Sequence, residues 1–263
     1  MSESSQNEGP RMTVETAEGP VKTLLGHLED LRWLLVKVAG TVFVAWTASF
    51  YFGPYILWFL QQPLKWSGIE DPQKFLKVFG PADAFAISVQ LALYAGVVLA
   101  SPLLIYFLAA YIFPALTRTE RRHVTPALWI GIPFFLGGVF FCYFLVLPPC
   151  LRIAREFANW LRVDADFWTV ESYVSFTTKF MLGMGVAFEM PLVLLALVRF
   201  GVLDHAKLRK ARPYVIVLNF ILGAVLTTPE VFTQLVMAIP LTLMYEGVIW
   251  IAWFMEWRRT RQG

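Results

Sequence analysis

The sequence predicts an all-α integral membrane protein with six transmembrane helices, and three observations carry that prediction. Of 263 residues, 57% are hydrophobic and 16% charged, against roughly 25% charged in an average soluble chain. The apolar residues gather in several runs near or above the roughly 20 needed to cross about 30 Å of hydrocarbon. The basic residues concentrate in alternate connecting segments, as the positive-inside rule requires. The formal net charge of +3 is too small to point to nucleic acid.

Residues 1–20 contain four glutamates, two prolines and no apolar run. A secretory signal needs a basic start and an apolar stretch, and a transit peptide is poor in acids. This segment reads as a disordered cytoplasmic tail, with a single transmembrane domain over 21–257. From Val21 to Arg32, Val21, Leu24, Leu25, Leu28 and Leu31 share one helical stripe, which predicts an amphipathic surface helix. It runs into a first span at 33–52. A polar stretch punctuated by Pro54, Pro63, Pro72 and Pro81 follows. The second span is placed at 84–111, the third at 126–147 and the fourth at 171–200. Residues 148–170 read as a surface helix and turn. The fourth span is long enough to tilt or protrude. The fifth, 214–228, covers only about 22 Å, so the bilayer thins there, neighbouring protein covers the mismatch, or the boundary lies a few residues away. The sixth is 231–252, with Thr228, Pro229 and Glu230 suited to start it, and 258–263 form a basic cytoplasmic tail.

With both termini cytoplasmic, the inside segments and Arg199 carry fourteen Lys and Arg. The outside segments carry six, namely Lys65, Lys74, Lys77, Arg152, Arg155 and Arg162. Cys142 and Cys150, eight residues apart on one helix, are about 12 Å apart, beyond disulfide reach.

The three histidines, His27, His123 and His205, all fall in cytoplasmic segments. None can serve an intramembrane serine or metal, and no GxSxG, HExxH or Walker-type motif occurs. The chain is therefore expected to be no enzyme, without cofactor or metal, and any uphill transport draws on a gradient or another subunit. A small-solute transporter is the alternative class. It would show several polar residues lining the midplane, often with inverted repeats, whereas the midplane acid here is essentially Glu189 and no repeat relates the halves.

Glu189, ten residues before Arg199, lies about 15 Å from the cytoplasmic end of its span. A carboxylate there costs several kcal/mol and usually marks function. It is a docking point for a partner helix, a protonatable switch, or a protonated group hydrogen-bonded within the bundle. Glu246, nearer the cytoplasmic end, either snorkels or pairs. Asp30 and Glu120 are cytoplasmic acids on separate elements. Glu120 has Arg118, Arg121 and Arg122 beside it, so local charge balance is one reading. The other is recognition: consecutive residues of an extended peptide point to opposite sides, so two adjacent arginines need carboxylates on different elements, each able to bind a guanidinium in bidentate fashion.

The motifs HLEDLR (27–32), FPALTRTERR (113–122), FEMP (188–191), KARPY (210–214) and LTTPEVFTQ (226–234), in this order, resemble the TatC family over about residues 21–255. The resemblance implies a receptor for twin-arginine signal peptides that exports folded cargo proteins across the bacterial inner membrane using the protonmotive force. It implies single-span TatA and TatB partners, surrounding lipid, and a homo-oligomer within a larger complex. It places Asp30 and Glu120 on the family's two signal-contacting acids, with Arg32, Arg121 and Arg122 beside them. Glu189 falls on its intramembrane glutamate, and Thr227 and Gln234 near a partner-helix site. The sequence departs from the family at Asp30, usually Glu, with Glu29 as the other candidate for the contact. It also departs at Glu230, usually Asp, and at Tyr111, commonly Phe.

Overall fold

The computed structural model describes residues 24–112, 118–163, 167–226 and 231–262. Ten helices and a two-residue parallel strand pair account for most of them. α1 (Leu24–Tyr51) is one uninterrupted helix of 28 residues, so the amphipathic segment and the first span form a single rod. Residues 113–117, 164–166 and 227–230, and with them Thr227, lie outside the described residues.

The stretch read as polar folds into α2 (Gly53–Leu60), α3 (Gln62–Trp66), α4 (Pro72–Phe75) and β1 (Leu76–Lys77). Three of its prolines open these helices. Pro54, Pro63 and Pro72 each occupy the first or second helical position, where a missing N–H costs nothing and the fixed φ suits the helix. Asp71 caps α4 by accepting the Lys74 N–H, and the Lys74 ammonium 3.1 Å away helps hold the Asp71 carboxyl below its usual pKa.

α5 (Asp83–Ile112) carries Pro102 in its interior. Pro102 leaves the Val98 carbonyl without its helical donor, and the Ser101 hydroxyl donates to that carbonyl at 2.7 Å. α6 (Arg118–Phe141) begins eight residues earlier than the apolar run suggested. It passes through a π-helical turn at Cys142–Val146 into α7 (Leu147–Trp160), which opens on Pro148 and Pro149. Cys142 and Cys150 are both buried and free. β2 (Trp168–Thr169) pairs in parallel with β1, Leu76 against Trp168. α8 (Val170–Arg199), capped by Thr169 through the Ser172 N–H, is followed by α9 (His205–Leu226) and α10 (Val231–Gln262).

The length of α8 has a packing cause. Twenty residues of helix, from Arg199 back to Phe180, already cover about 30 Å. The preceding turns enter a cap with the short helices. Tyr173 and Val174 share one buried cluster with Leu60, Leu64, Phe75, Tyr143 and Leu147. Two buried phenols pin the cap: the Tyr143 hydroxyl donates to the Phe59 carbonyl at 2.7 Å, and the Tyr173 hydroxyl donates to the Leu60 carbonyl. Tyr143 also stacks on Phe59 with centroids 4.3 Å apart.

Close helix contacts build the bundle. α1 lies along α5, α6 along α8, and α9 along α10, with α8 also touching α5 and α10. At Gly96 of α5 an added Cβ would sit 2.8 Å from the Trp46 nitrogen of α1. At Gly138 of α6 it would sit 2.7 Å from the Met184 carbonyl oxygen of α8. Small residues at such crossings let backbones approach, the main source of helix association where lipid is as apolar as leucine. Among the described residues, α1, α5, α6 continuing through α7, α8 and α10 are each long and apolar enough to cross a membrane. α9 is the sixth long helix. Its first half is charged, and its apolar part, 214–226, covers about 20 Å.

Polar contacts join α9 to α10 at the end away from the cap. Arg212 donates to Glu246 at 2.6 Å, so Glu246 pairs rather than snorkels. The Tyr245 hydroxyl donates to the Leu208 carbonyl at 2.8 Å. Glu256 accepts the His205 backbone N–H at 2.7 Å and lies 2.6 Å from its Nδ1. Asp204 caps α9, accepting the Lys207 N–H at 2.6 Å.

Candidate functional site

The mouth between α1 and α5 holds the first group of candidate residues. Asp30, in the second turn of α1, is half-buried and faces α5. It lines a hollow of about 230 Å³ with Trp33, Leu34 and Lys37 on α1, and Phe107, Ala110 and Tyr111 on α5. Residues 30, 33, 34 and 37 recur at helical spacing, so one face of α1 supplies the wall. Glu29, one residue earlier and about 100° around the helix, points elsewhere. It lies 3.6 Å from Arg32 as an exposed i, i+3 pair. The two acids differ in placement: Asp30 lines the hollow, and Glu29 lies beside Arg32 on the exposed side. Arg32 is thereby outside the hollow. Lys37 was missed by sequence reasoning, which took it as part of a span. Its spacing of seven residues from Asp30 was the available signal, since two turns return to the same face.

Glu120, Arg121 and Arg122 lie near the start of α6, and their side chains are outside the described residues.

The second group does not converge. Glu189, half-buried on α8, is turned toward α6. A Cβ built on Gly131 would lie 3.1 Å from its Oε2 and 3.5 Å from its Oε1. Its Oε1 is buried with no hydrogen-bond partner among the described residues. A side chain at position 131 would crowd this carboxyl, and the unused acceptor is open to a proton or a donor introduced between α6 and α8. Gln234, in the first turn of α10, packs instead on α9, where a Cβ on Gly223 would meet its Cα at 3.3 Å. Glu189 and Gln234 therefore occupy separate places.

The chemistry on offer is recognition. The hollow combines one carboxylate, three aromatic rings and a lysine, at the end of the bundle opposite the cap. A carboxylate with adjacent rings suits a guanidinium, which takes charge-assisted hydrogen bonds in its plane and stacks on aromatic faces.

Comparison with known proteins gives the family. A sequence profile described as "Sec-independent protein translocase protein (TatC)" matches residues 26–240. The chain is 39% identical over 193 residues to the Sec-independent protein translocase protein TatC of Akkermansia muciniphila, an alignment spanning 72% of this chain and only 55% of that relative. It is 34% identical to the TatC of Aquifex aeolicus over 87% of this chain and 93% of that relative. The crystal structure of a twin arginine translocase receptor, TatC, superposes with a TM-score of 0.76 at 34% identity, covering 87% of this chain and 98% of that one. The order of motifs, the capped bundle and these matches agree that the chain belongs to the TatC family of Sec-independent protein translocase proteins.

Proposed function

We propose that this chain is the receptor subunit that recognises twin-arginine signal peptides and, with single-span TatA and TatB partners, exports folded proteins using the protonmotive force. The observation that carries the reading is Asp30 in the hollow at the mouth of α1 and α5, walled by Trp33 and Tyr111. One arginine of the pair enters there. The second, pointing to the opposite side of an extended peptide, meets Glu120 from the first turn of α6. Arg121 and Arg122 counterbalance Glu120, and Arg32 lies beside Glu29 on the exposed side of α1.

The mouth lies on the cytoplasmic face of the bacterial inner membrane, with both termini on the same side. The fourteen-to-six distribution of basic residues supports this orientation. The cap then faces outward. Glu189, in mid-span and turned to α6, serves the later transport step or the contact with a partner helix. Thr227 and Gln234 mark a second partner contact at the outer end of α9 and α10. Copies of the chain assemble within a larger complex in the lipid bilayer.

The test is export of a folded, cofactor-bearing reporter with a twin-arginine signal in a strain lacking its own TatC. The chain should restore export, and Glu120→Gln should abolish it while the protein still accumulates in the membrane. Unchanged export by Glu120→Gln, or no restoration by the parent chain, would overturn the reading.

A further inference from the structure

A crevice separates α8 from α9 and opens at the end of the bundle away from the cap. Its cause is local. α9 leans on α10, and on the side toward α8 the gap is lined by Ala187, Pro191 and Ala211, compact residues that leave it open. Its floor is α10, through the buried Tyr245 and Val248. Lys207, Ala211, Val215, Leu218 and Leu222 form the α9 wall, and their spacings of four, four, three and four residues make a single stripe of that helix. The crevice holds about 180 Å³. From Lys207 to Leu222 the wall is about 22 Å long, which is the depth of one leaflet with its headgroups, half of about 40–45 Å. The wall is apolar below its mouth. At the mouth Lys207, Arg209 and Lys210 are exposed. Tyr214, 76% exposed, stands one turn deeper than Lys210, as an aromatic at the membrane–water interface does. The Lys207 ammonium rests 3.3 Å from the Val202 carbonyl and 3.7 Å from the Asp204 carboxylate, and such exposed pairings are weak enough to exchange for another anion.

We propose that this crevice binds an anionic phospholipid, its phosphate on Lys207 and Lys210 and one acyl chain laid between α8 and α9. The proposal does not depend on the recognition reading above. Charge and dimensions select the occupant. Lys207, Arg209 and Lys210 outnumber Asp204 at the mouth, which favours a net-negative headgroup over a zwitterion. A basic cluster beside an apolar cleft is the arrangement that holds a lipid phosphate above its chain. The length of the wall matches one lipid, headgroup to chain end. A transmembrane helix is 10–12 Å across with its side chains, so 22 Å of it fills more than about 1,700 Å³, far beyond the crevice, whereas a slender chain enters it. Bound there, the lipid completes the packing that Ala187 and Ala211 leave open and steadies α9, whose apolar part is short.

The test uses the full chain in nanodiscs of phosphatidylcholine doped with a trace of lipid that carries a photo-reactive group in its acyl chain. The doped lipid is phosphatidylglycerol in one sample and phosphatidylcholine in the other, and the adducts are mapped by mass spectrometry. Phosphatidylglycerol should label the peptides holding Met190, Leu194, Val215 and Leu218 at least fivefold more than phosphatidylcholine does. Lys207→Gln with Lys210→Gln should bring that labelling down to the phosphatidylcholine level, while Lys74→Gln, on the cap, leaves it unchanged. Ala211→Phe, which fills the crevice, should remove it. If Ala211→Phe does not accumulate, the double lysine variant decides, because its changes are exposed and open no cavity. Equal labelling by the two lipids, or labelling that survives loss of both lysines, would overturn the proposal. A cross-link from a photo-reactive residue at Met190 to a single-span partner rather than to lipid, in membranes holding the whole complex, would overturn it as well, by giving the crevice to a helix.

Discussion

Neutralising each of the two neighbouring acids on α1 should have unequal effects, and the structure sets the ratio. Asp30→Asn keeps the size of the side chain in the hollow and removes its charge. A hydrogen bond to a charged group contributes about 1.5–3 kcal/mol, which is roughly ten- to a hundredfold in affinity. Glu29 is held in an exposed pair with Arg32 at 3.6 Å, and such pairs are worth at most about 1 kcal/mol. Glu29→Gln should therefore change binding by less than about fivefold. Asp30→Glu, which restores the carboxylate with one more methylene, should retain binding. The assay is titration of a labelled twin-arginine signal peptide against the purified chain in lipid nanodiscs. A larger loss for Glu29→Gln than for Asp30→Asn would refute the assignment of the contact to the face that lines the hollow.

Other consequences follow from named contacts. Gly138→Ala should lower thermal stability in detergent by about 1–3 kcal/mol, because the new Cβ would lie 2.7 Å from the Met184 carbonyl oxygen. Gly137→Ala, with nothing within 4 Å, should be neutral or stabilising. Glu189→Ala should leave signal binding intact and impair export. If a hydrogen bond is its role, worth about 0.6–2 kcal/mol between membrane helices, Glu189→Gln should be milder than alanine. Equal severity of the two would assign proton exchange instead. The Lys207 N–H and ammonium hold the Asp204 carboxyl below its usual pKa. A depressed pKa gives a cap that is intact at neutral pH and lost as pH falls through that lowered value. Amide exchange at the start of α9 should therefore rise only on acidification below the ordinary carboxylate range, and Asp204→Ala should show the fast rate at every pH.

The class, the long helices and the family motifs were all legible in the sequence because membrane helices announce themselves by long apolar runs. The cap was not. Pro54, Pro63 and Pro72 read as breakers of structure, and they prove to be helix starters, a distinction that depends on the residues after each proline rather than the proline itself. Residues 118–125 lay outside the third span placed at 126–147, yet they belong to α6, because charged residues extend a helix readily once it leaves the hydrocarbon. At the candidate site, the residue types were legible and their facing was partly so. The seven-residue spacing of Asp30 and Lys37 was visible, but that α5 brings Tyr111 to the same hollow depends on the pairing of α1 with α5, which no local pattern encodes. The orientation of Glu189 toward Gly131 was equally hidden, because it needs the crossing of α6 and α8 that Gly138 and Gly185 permit.

The most direct test of recognition at the mouth is photo-cross-linking from Tyr111, on the opposite wall to Asp30, to precursors carrying two arginines or two lysines. Lysine offers a point charge without the planar fork of guanidinium. The account gives a strong adduct at Tyr111 with the twin-arginine precursor, at least tenfold weaker with twin lysine, and equally weak with Asp30→Asn. Equal adducts from both precursors, unaffected by Asp30→Asn, would contradict it.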